Sequence, residues 1–275
     1  IVHYAERLYP LFENDAYTFS QISTSRCFFG KMNFDESSVC ADPAVRKAIA
    51  MGIDKENFVA TLLEGNGYVA NGVFPEGSAF GGDKVTTETY DPEGAKKLLD
   101  DAGIVDTDGD GIRELDGQNI NLHYVSYENR LLNDFSNAHI QYLAEIGIGC
   151  TADYGSSDDQ WSKLAAGDYD LNNNNWITVG TGDPYAFMAN WATDTTYCGY
   201  SNPEYDELFE QLKSEMDEDK RADLIFQMQQ ILVDDAAVLI DGYYNSSMIY
   251  SKNVGNAHIH TADYYWLTTE ITPAE

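Results

Sequence analysis

Basic residues are scarce in this chain. Its 275 residues carry 16 Lys and Arg against 46 Asp and Glu, a formal charge of −30. Without a basic surface to displace counterions, nucleic acid and anionic lipid are excluded as partners; otherwise the charge serves solubility. No apolar run approaches the roughly 18 residues of a membrane-spanning helix, and no basic segment followed by an apolar stretch stands at the start. The chain opens on Ile1 rather than Met, so a processed or cut piece is expected. Cysteine is limited to Cys27, Cys40, Cys150 and Cys198, at spacings that fit no zinc pattern. Cys27 and Cys40, with 12 residues between them, are the pair best placed for a bridge, and free buried thiols fit equally well. Also missing are a Gly-x-Ser-x-Gly elbow, a His-Glu-x-x-His helix, a phosphate loop and a dinucleotide fingerprint.

What is present alternates between helical and extended signals. Tyr4, Leu8, Tyr9, Phe12 and Tyr17 suggest packing near the start, and Phe28 to Phe34 reads as a strand that ends at Asn33. Asp42 caps and Pro43 starts a helix that buries Val45, Ile49 and Ile53, with Arg46 and Lys47 toward solvent. Asp54 caps a second helix through Leu63, closed by Gly65 and Gly67. Asp91-Pro92 repeats the start signal, and Gly103 stops that helix. Ile120–Val125 and Ile148–Tyr154 alternate as strands, flanking a helix from Leu131 to Leu143 in which His139 is expected to be a packed, hydrogen-bonded side chain. Asp158 to Ala166 forms a short helix carrying Trp161. Ser201–Met216 and Asp217–Asp235 are amphipathic helices, the first with Tyr205, Leu208, Phe209, Leu212 and Met216 on one stripe. Two closing strands are expected at Ala237–Ile240 and Met248–Tyr250. The alternation predicts one α/β domain with a mixed sheet flanked by helices, and without internal repeats.

The stretch from Asp168 to Trp191 is the most informative. It reads as a strand through Asn172–Asn175 and Trp176, a Gly-rich turn at Gly180 and Gly182, and a helix restarting with Asp183 as cap and Pro184 as its first residue. A strand end facing a helix start makes a cleft. Alternation puts one pair of asparagine amides beside the flat face of Trp176, a wall suited to a small ligand, although a polar strand edge over a core Trp would give the same pattern.

Five segments in order carry a family resemblance: Asp42 to Lys55, Tyr90 to Leu99, Trp176 to Phe187, Asn202 to Asp206, and Lys220-Arg221 leading into Gln229 to Leu232. Together they resemble the extracellular solute-binding proteins of ABC importers, family 5, the peptide and nickel group, over nearly the whole chain. The resemblance implies a type II periplasmic-binding-protein-like lobe. Residues 1–275 correspond to the C-terminal lobe; the family's N-terminal lobe, signal peptide and lipid-anchor cysteine are not in the sequence. It further implies a monomer outside the membrane, tethered to its outer face, that closes on solute against a second lobe and delivers it to membrane permease subunits. Ligand-facing positions are then Trp161, Asn174, Trp176, Thr178 and Thr181, with Asn33 and Asp183 as further candidates, Asp183 more as a helix cap than as a contact. Peptide-binding members usually place an aspartate a few residues after the tryptophan; here Ile177-Thr178-Val179-Gly180 intervenes, and no carboxylate precedes Asp183. Nickel-binding members carry a tyrosine before the Asp-Pro and a histidine after the helix; this chain has Gly182 and no histidine from Trp191 to Tyr197. An oligopeptide is the favoured solute, with an oligosaccharide or a nickel chelate as alternatives.

Asp106-Thr107-Asp108-Gly109-Asp110-Gly111-Ile112-Arg113-Glu114 resembles a calcium loop, with carboxylates at positions 1, 3 and 5 and the Ile112 carbonyl at 7. Position 12 is Gly117, so Glu114 or Asp116 would complete the shell of a structural calcium; an Asp/Gly turn bonded to its own backbone is the even alternative. A calcium-dependent adhesive module and a hydrolase are the competing classes. His258 and His260, on one face of a short strand, are a pair able to hold a metal but more often incidental.

Overall fold

The computed structural model describes residues 2–3, 14–129, 131–262 and 267–274. Tyr4, Leu8, Tyr9 and Phe12 lie outside the described residues, and Tyr17 is exposed. In chain order the elements are β1 (Val2–His3), β2 (Tyr17–Met32), α1 (Pro43–Gly52), α2 (Lys55–Thr61), β3 (Gly67–Val69) and α3 (Pro92–Asp101). Next come β4 (Glu114–Leu115), β5 (Gln118–Asn119), β6 (Asn121–Tyr127), α4 (Leu132–Glu145), β7 (Gly149–Gly155), α5 (Ser157–Ala166) and β8 (Leu171–Ile177). The chain continues through α6 (Tyr185–Met188), α7 (Pro203–Leu212), α8 (Glu218–Asp234), β9 (Val238–Ser251), β10 (Val254–Gly255) and β11 (Thr272–Pro273).

The main sheet among the described residues is mixed, in the order β1-β9-β2-β8-β6-β7 with β3 also on β9. β2 runs antiparallel to both β8 and β9, while β6 runs parallel to β7 and β8. Successive residues of β2 point to opposite faces. Phe28 stacks on Phe135 of α4 at 4.3 Å, and Phe29 meets Phe187 and Trp191 on the other side. A third apolar cluster joins Ile49 of α1 and Leu99 of α3 to Leu122 and Leu171. With helices on both faces, β2 from Thr24 to Met32 and β8 from Leu171 to Asn175 are buried, as strands covered on both faces are.

The helix starts follow the cap signals. Asp42 accepts from Ala44 N at 2.7 Å and Val45 N at 3.3 Å ahead of Pro43; Asp54, Asp91 and Asp217 cap α2, α3 and α8 in the same way. Gly103 and Gly167 take positive φ just past α3 and α5, where a side chain would strain the backbone. His139 is a fully buried hydrogen-bonded residue, as expected, with Tyr124 Oη at 2.7 Å and Asp241 Oδ1 at 3.1 Å. No helix among the described residues is long and apolar enough to cross a membrane.

Several expectations need correction. All four cysteines are free thiols; Cys27 and Cys40 belong to two different apolar clusters, so no bridge joins them. Arg46 does not face solvent: it is buried, donates to the carbonyls of Cys40, Ala41 and Asp235, and lies 4.0 Å over the Phe34 ring. Met216 falls beyond the end of α7 and is 86% exposed. The two closing strands are one, β9, and β2 extends well ahead of Phe28. His258 and His260 follow β10 outside any strand, and His258 pairs with Glu270 at 3.4 Å.

Lys31 of β2 is buried beneath α6, its Nζ donating to the Asn190 carbonyl at 3.1 Å and standing 4.6 Å from the Trp191 ring centre. Burial brings its ammonium down to about 8 from the usual 10.5. Between those values the folded chain has released a proton that the unfolded chain still holds, so Lys31 adds stability as pH rises. Buried thiols, whose titration burial pushes upward, act in the opposite sense. The difference between wild type and Lys31→Met isolates the lysine. That difference should move in favour of wild type from pH 7.5 to 10.5, by on the order of 3 kcal/mol, as read by urea unfolding; a flat difference would show that Lys31 is not desolvated.

Candidate functional site

The three parallel strands β8, β6 and β7 lie side by side, and their carboxyl ends open together. Open α/β sheets bind ligands at such ends. A cleft of about 670 Å³ lies there, bounded by Tyr127 at the end of β6 with Glu128 and Asn129 beyond it, the β7–α5 turn, Gln160 and Trp161 of α5, and Asn174 and Trp176 of β8. α5 is held against it by a capping box in which Ser156 and Asp159 satisfy each other's backbone amides.

Trp161 and Trp176 stack with ring centres 5.7 Å apart and planes inclined by 19°. Trp176 is anchored edge-on by Phe29 at 5.3 Å, whereas Trp161 is 39% exposed. The asparagine run divides as alternation requires, but all four are buried. Asn172 and Asn174 share the Trp176 face, with Asn174 Nδ2 donating to Asn172 Oδ1 at 3.3 Å. Asn172 Oδ1 also accepts from Lys31 N at 3.1 Å. Asn173 Nδ2 donates to Leu132 O at 2.7 Å, and Asn175 Oδ1 accepts from Arg26 at 3.0 Å. Only Asn174 of the four reaches the cleft.

Beyond Trp176 lies a smaller groove of about 400 Å³, lined by Thr178, Thr181 and Asp183 among others. The Thr178 hydroxyl is already committed to Ser25 O at 3.1 Å, and Thr181 is exposed. Asp183 acts as a capping residue one position earlier than expected: Oδ1 accepts from Tyr185 N at 2.8 Å, and α6 starts at Tyr185 rather than Pro184. Its Oδ2 pairs with Arg221 at 2.6 Å. Asn33 is a correction. It follows the opposite end of β2, six residues from the partner of Trp176 and so about 20 Å from it along the strand. Its amide donates to Gly167 O and Tyr169 O, a loop tie rather than a ligand contact.

Tyr127, Glu128, Asn129, Tyr154 and Gln160 were not among the candidates. They stand at or just beyond the ends of β6 and β7 and on α5, and the rule about strand ends would have found most of them once those strands were taken as parallel neighbours of β8.

In the acidic loop Asp106, Asp108 and Glu114 bring one oxygen each to within 4.8 Å of the others. Asp110 stands outside this group, accepting from Ile112 N at 2.8 Å and Asn119 Nδ2 at 2.7 Å. Asp106 accepts from Gly109 N and Gly111 N, and Glu114 from Thr107 N and Oγ1. Those bonds shape the loop, which precedes the amino end of β6, whereas the cleft opens at its carboxyl end.

A mixed sheet with helices on both faces, with an aromatic cleft at its strand ends, defines a mixed α/β fold. The family described as bacterial extracellular solute-binding proteins, family 5 Middle, matches residues 3–197, and the chain belongs to this family. It is 25% identical over 239 residues to the oligopeptide-binding protein AppA of Bacillus subtilis (strain 168), covering 82% of this chain and 43% of that protein. The structure of Bacillus subtilis AppA in complex with a nonapeptide superposes with a TM-score of 0.85 at 21% identity, over 98% of this chain and 55% of that one. NikA from Brucella suis in complex with Fe(III)-EDTA gives 0.83 at 21% identity, over 98% and 54%. These likenesses establish the fold. The chain spans about half the length of the relatives it matches.

Asp183 carries both the α6 cap and the tie to α8. Asp183→Ala should cost about 1 kcal/mol in urea unfolding, because its ion pair is half exposed and adds little. Thr181→Ala, whose side chain makes only a long contact to Asp183 O, should stay within about 0.5 kcal/mol.

Proposed function

We propose that this chain is the C-terminal ligand-binding lobe of the substrate-binding component of an ABC importer, and that it captures an oligopeptide by hinge closure against a second lobe. The observation that carries this is the meeting of Trp161, Trp176 and Asn174 around an open cleft at the ends of parallel strands, on a chain of this family. Indole faces exclude water from a solute and contribute buried area, while amides fix its orientation. The similarity to AppA, an oligopeptide-binding protein, favours the peptide. Its partners on this reading are the solute and membrane permease subunits. The protein works as a monomer outside the membrane, tethered to the outer face.

An oligosaccharide is the second reading, favoured by the indole pair beside the amides of Asn174 and Gln160. A nickel chelate is weighed down by the absence of any histidine lining either cleft among the described residues. The proposal's minor part is a structural calcium at Asp106, Asp108 and Glu114, supported by their convergence. Such an ion would join a loop already shaped by its hydrogen bonds, with the Ile112 carbonyl as a further oxygen.

Thermal shift on the full-length protein against di- to hexapeptides, β-linked oligosaccharides and nickel chelates discriminates the readings, since a ligand stabilises the native state it occupies. Peptides alone should raise the melting temperature, and Trp161→Ala, at a half-exposed position, should weaken them about tenfold. A shift with sugars alone would replace the peptide reading. For the loop, calorimetric titration with calcium should give heat that Asp108→Ala removes; no heat from the wild type would dismiss the ion.

A further inference from the structure

The cleft at the strand ends is aromatic on several sides, through Tyr127, Tyr154, Trp161 and Trp176, and among the described residues a single charged side chain lines it, Glu128. Glu128 is the first residue beyond β6 and is exposed. Other carboxylates lie around this end of the sheet without lining the cleft, and three of them are engaged. Asp159 accepts from Ser156 N at 3.0 Å and from its hydroxyl at 2.6 Å. Asp153 pairs with His123 at 3.0 Å and with Lys163, and Asp183 pairs with Arg221. Among the described residues the Glu128 carboxylate has no hydrogen bond or ion pair; its backbone alone is tied, to Gly155 O at 3.1 Å.

We infer that this cleft takes a cationic group of the solute, an amine or guanidinium, between its aromatic faces and the Glu128 carboxylate. The inference rests on the solute-binding reading above and deepens it. Ring faces attract a cation through their quadrupole, and a carboxylate at the rim completes a charge-assisted hydrogen bond. A neutral solute closed over the same rim would strip water from Glu128 and return only neutral hydrogen bonds, without the attraction of an opposite charge. An anionic group would meet that carboxylate and a chain of net charge −30, with no lining cation among the described residues to receive it.

The cation can come from a peptide's amino terminus or from a lysine or arginine side chain, and three forms of one hexapeptide separate the sources: free amino terminus without lysine, the same peptide N-acetylated, and the acetylated peptide with one lysine. Calorimetry on the full-length protein should show the acetylated lysine-free form binding about tenfold more weakly than the free form. Recovery with lysine would identify the side chain as the source, and no recovery the terminus. Glu128→Gln, at an exposed site whose carboxylate bonds to nothing, should melt as the wild type does, weaken the charged forms about tenfold and leave the uncharged form unchanged. Equal affinity of wild type for charged and uncharged forms, or undiminished discrimination in Glu128→Gln, would overturn the inference while leaving the peptide reading in place. Failure to bind any form would overturn the peptide reading and the inference with it.

Discussion

Leaving a buried amide without a partner costs about 1–3 kcal/mol, and β8 buries four amides in succession. Each face of the strand meets groups that answer most of them, with Asn172 Nδ2 and Asn173 Oδ1 left without a hydrogen bond among the described residues. On one face α4 offers the Leu132 carbonyl to Asn173, and Arg26 of β2 answers Asn175. On the other, Asn172 takes the Lys31 amide, and Asn174 turns back onto Asn172. Gln160 of α5 adds a bond to the Asn173 carbonyl at 3.0 Å. A strand of valines would have packed in this place without specifying its neighbours. The amides tie β8 to β2 and α4, while Gln160 on the Asn173 backbone carbonyl places α5 so that Trp161 stacks on Trp176.

A second polar chain runs through the buried middle of the fold. Tyr124 of β6, His139 of α4 and Asp241 of β9 are all fully buried and joined in line. Burial pushes the Tyr124 hydroxyl well above its usual range, so it stays protonated as a donor or acceptor in the chain. Networks of this kind specify one arrangement of the elements that carry them. Here they tie a helix on one face to two strands separated in the sheet by β2 and β8.

Much of this was legible where the cause was local. An Asp before a Pro or a short polar pair states a helix start within three residues, and the caps at Asp42, Asp54 and Asp91 all hold. The misread positions depend on partners distant in sequence. Arg46 looks like a solvent residue until the Asp235 carbonyl and the Phe34 ring are brought beside it. β9 reads as two strands because Asp241 and the polar run Asn245 to Ser247 interrupt its apolar pattern, and a sequence does not show that His139 pairs with Asp241 Oδ1. The site divides in the same way. Its β8 segment was legible as strand, turn and helix, whereas Tyr127, Glu128 and Tyr154 join it only through the parallel pairing of β6 with β7 and β8. Asn33 was misplaced because position along an antiparallel strand sets distance from the cleft, and sequence proximity to a strand end does not say which end.

The two tryptophans differ in a way that bears on how such a wall would work in closure. Trp176 is held by Phe29 and Phe187 at near-perpendicular angles, and its rotamer is fixed by packing before any solute arrives. Trp161 leans on Trp176 and on Tyr197, itself about half exposed, and its remaining surface faces solvent. A solute that covers Trp161 gains that apolar area without having to order a ring already stacked, so less of the gain is lost to side-chain entropy. The rigid member thus sets the geometry and the exposed member offers the surface, which leaves most of the free energy of solute capture to be realised when that surface is covered rather than in the open lobe.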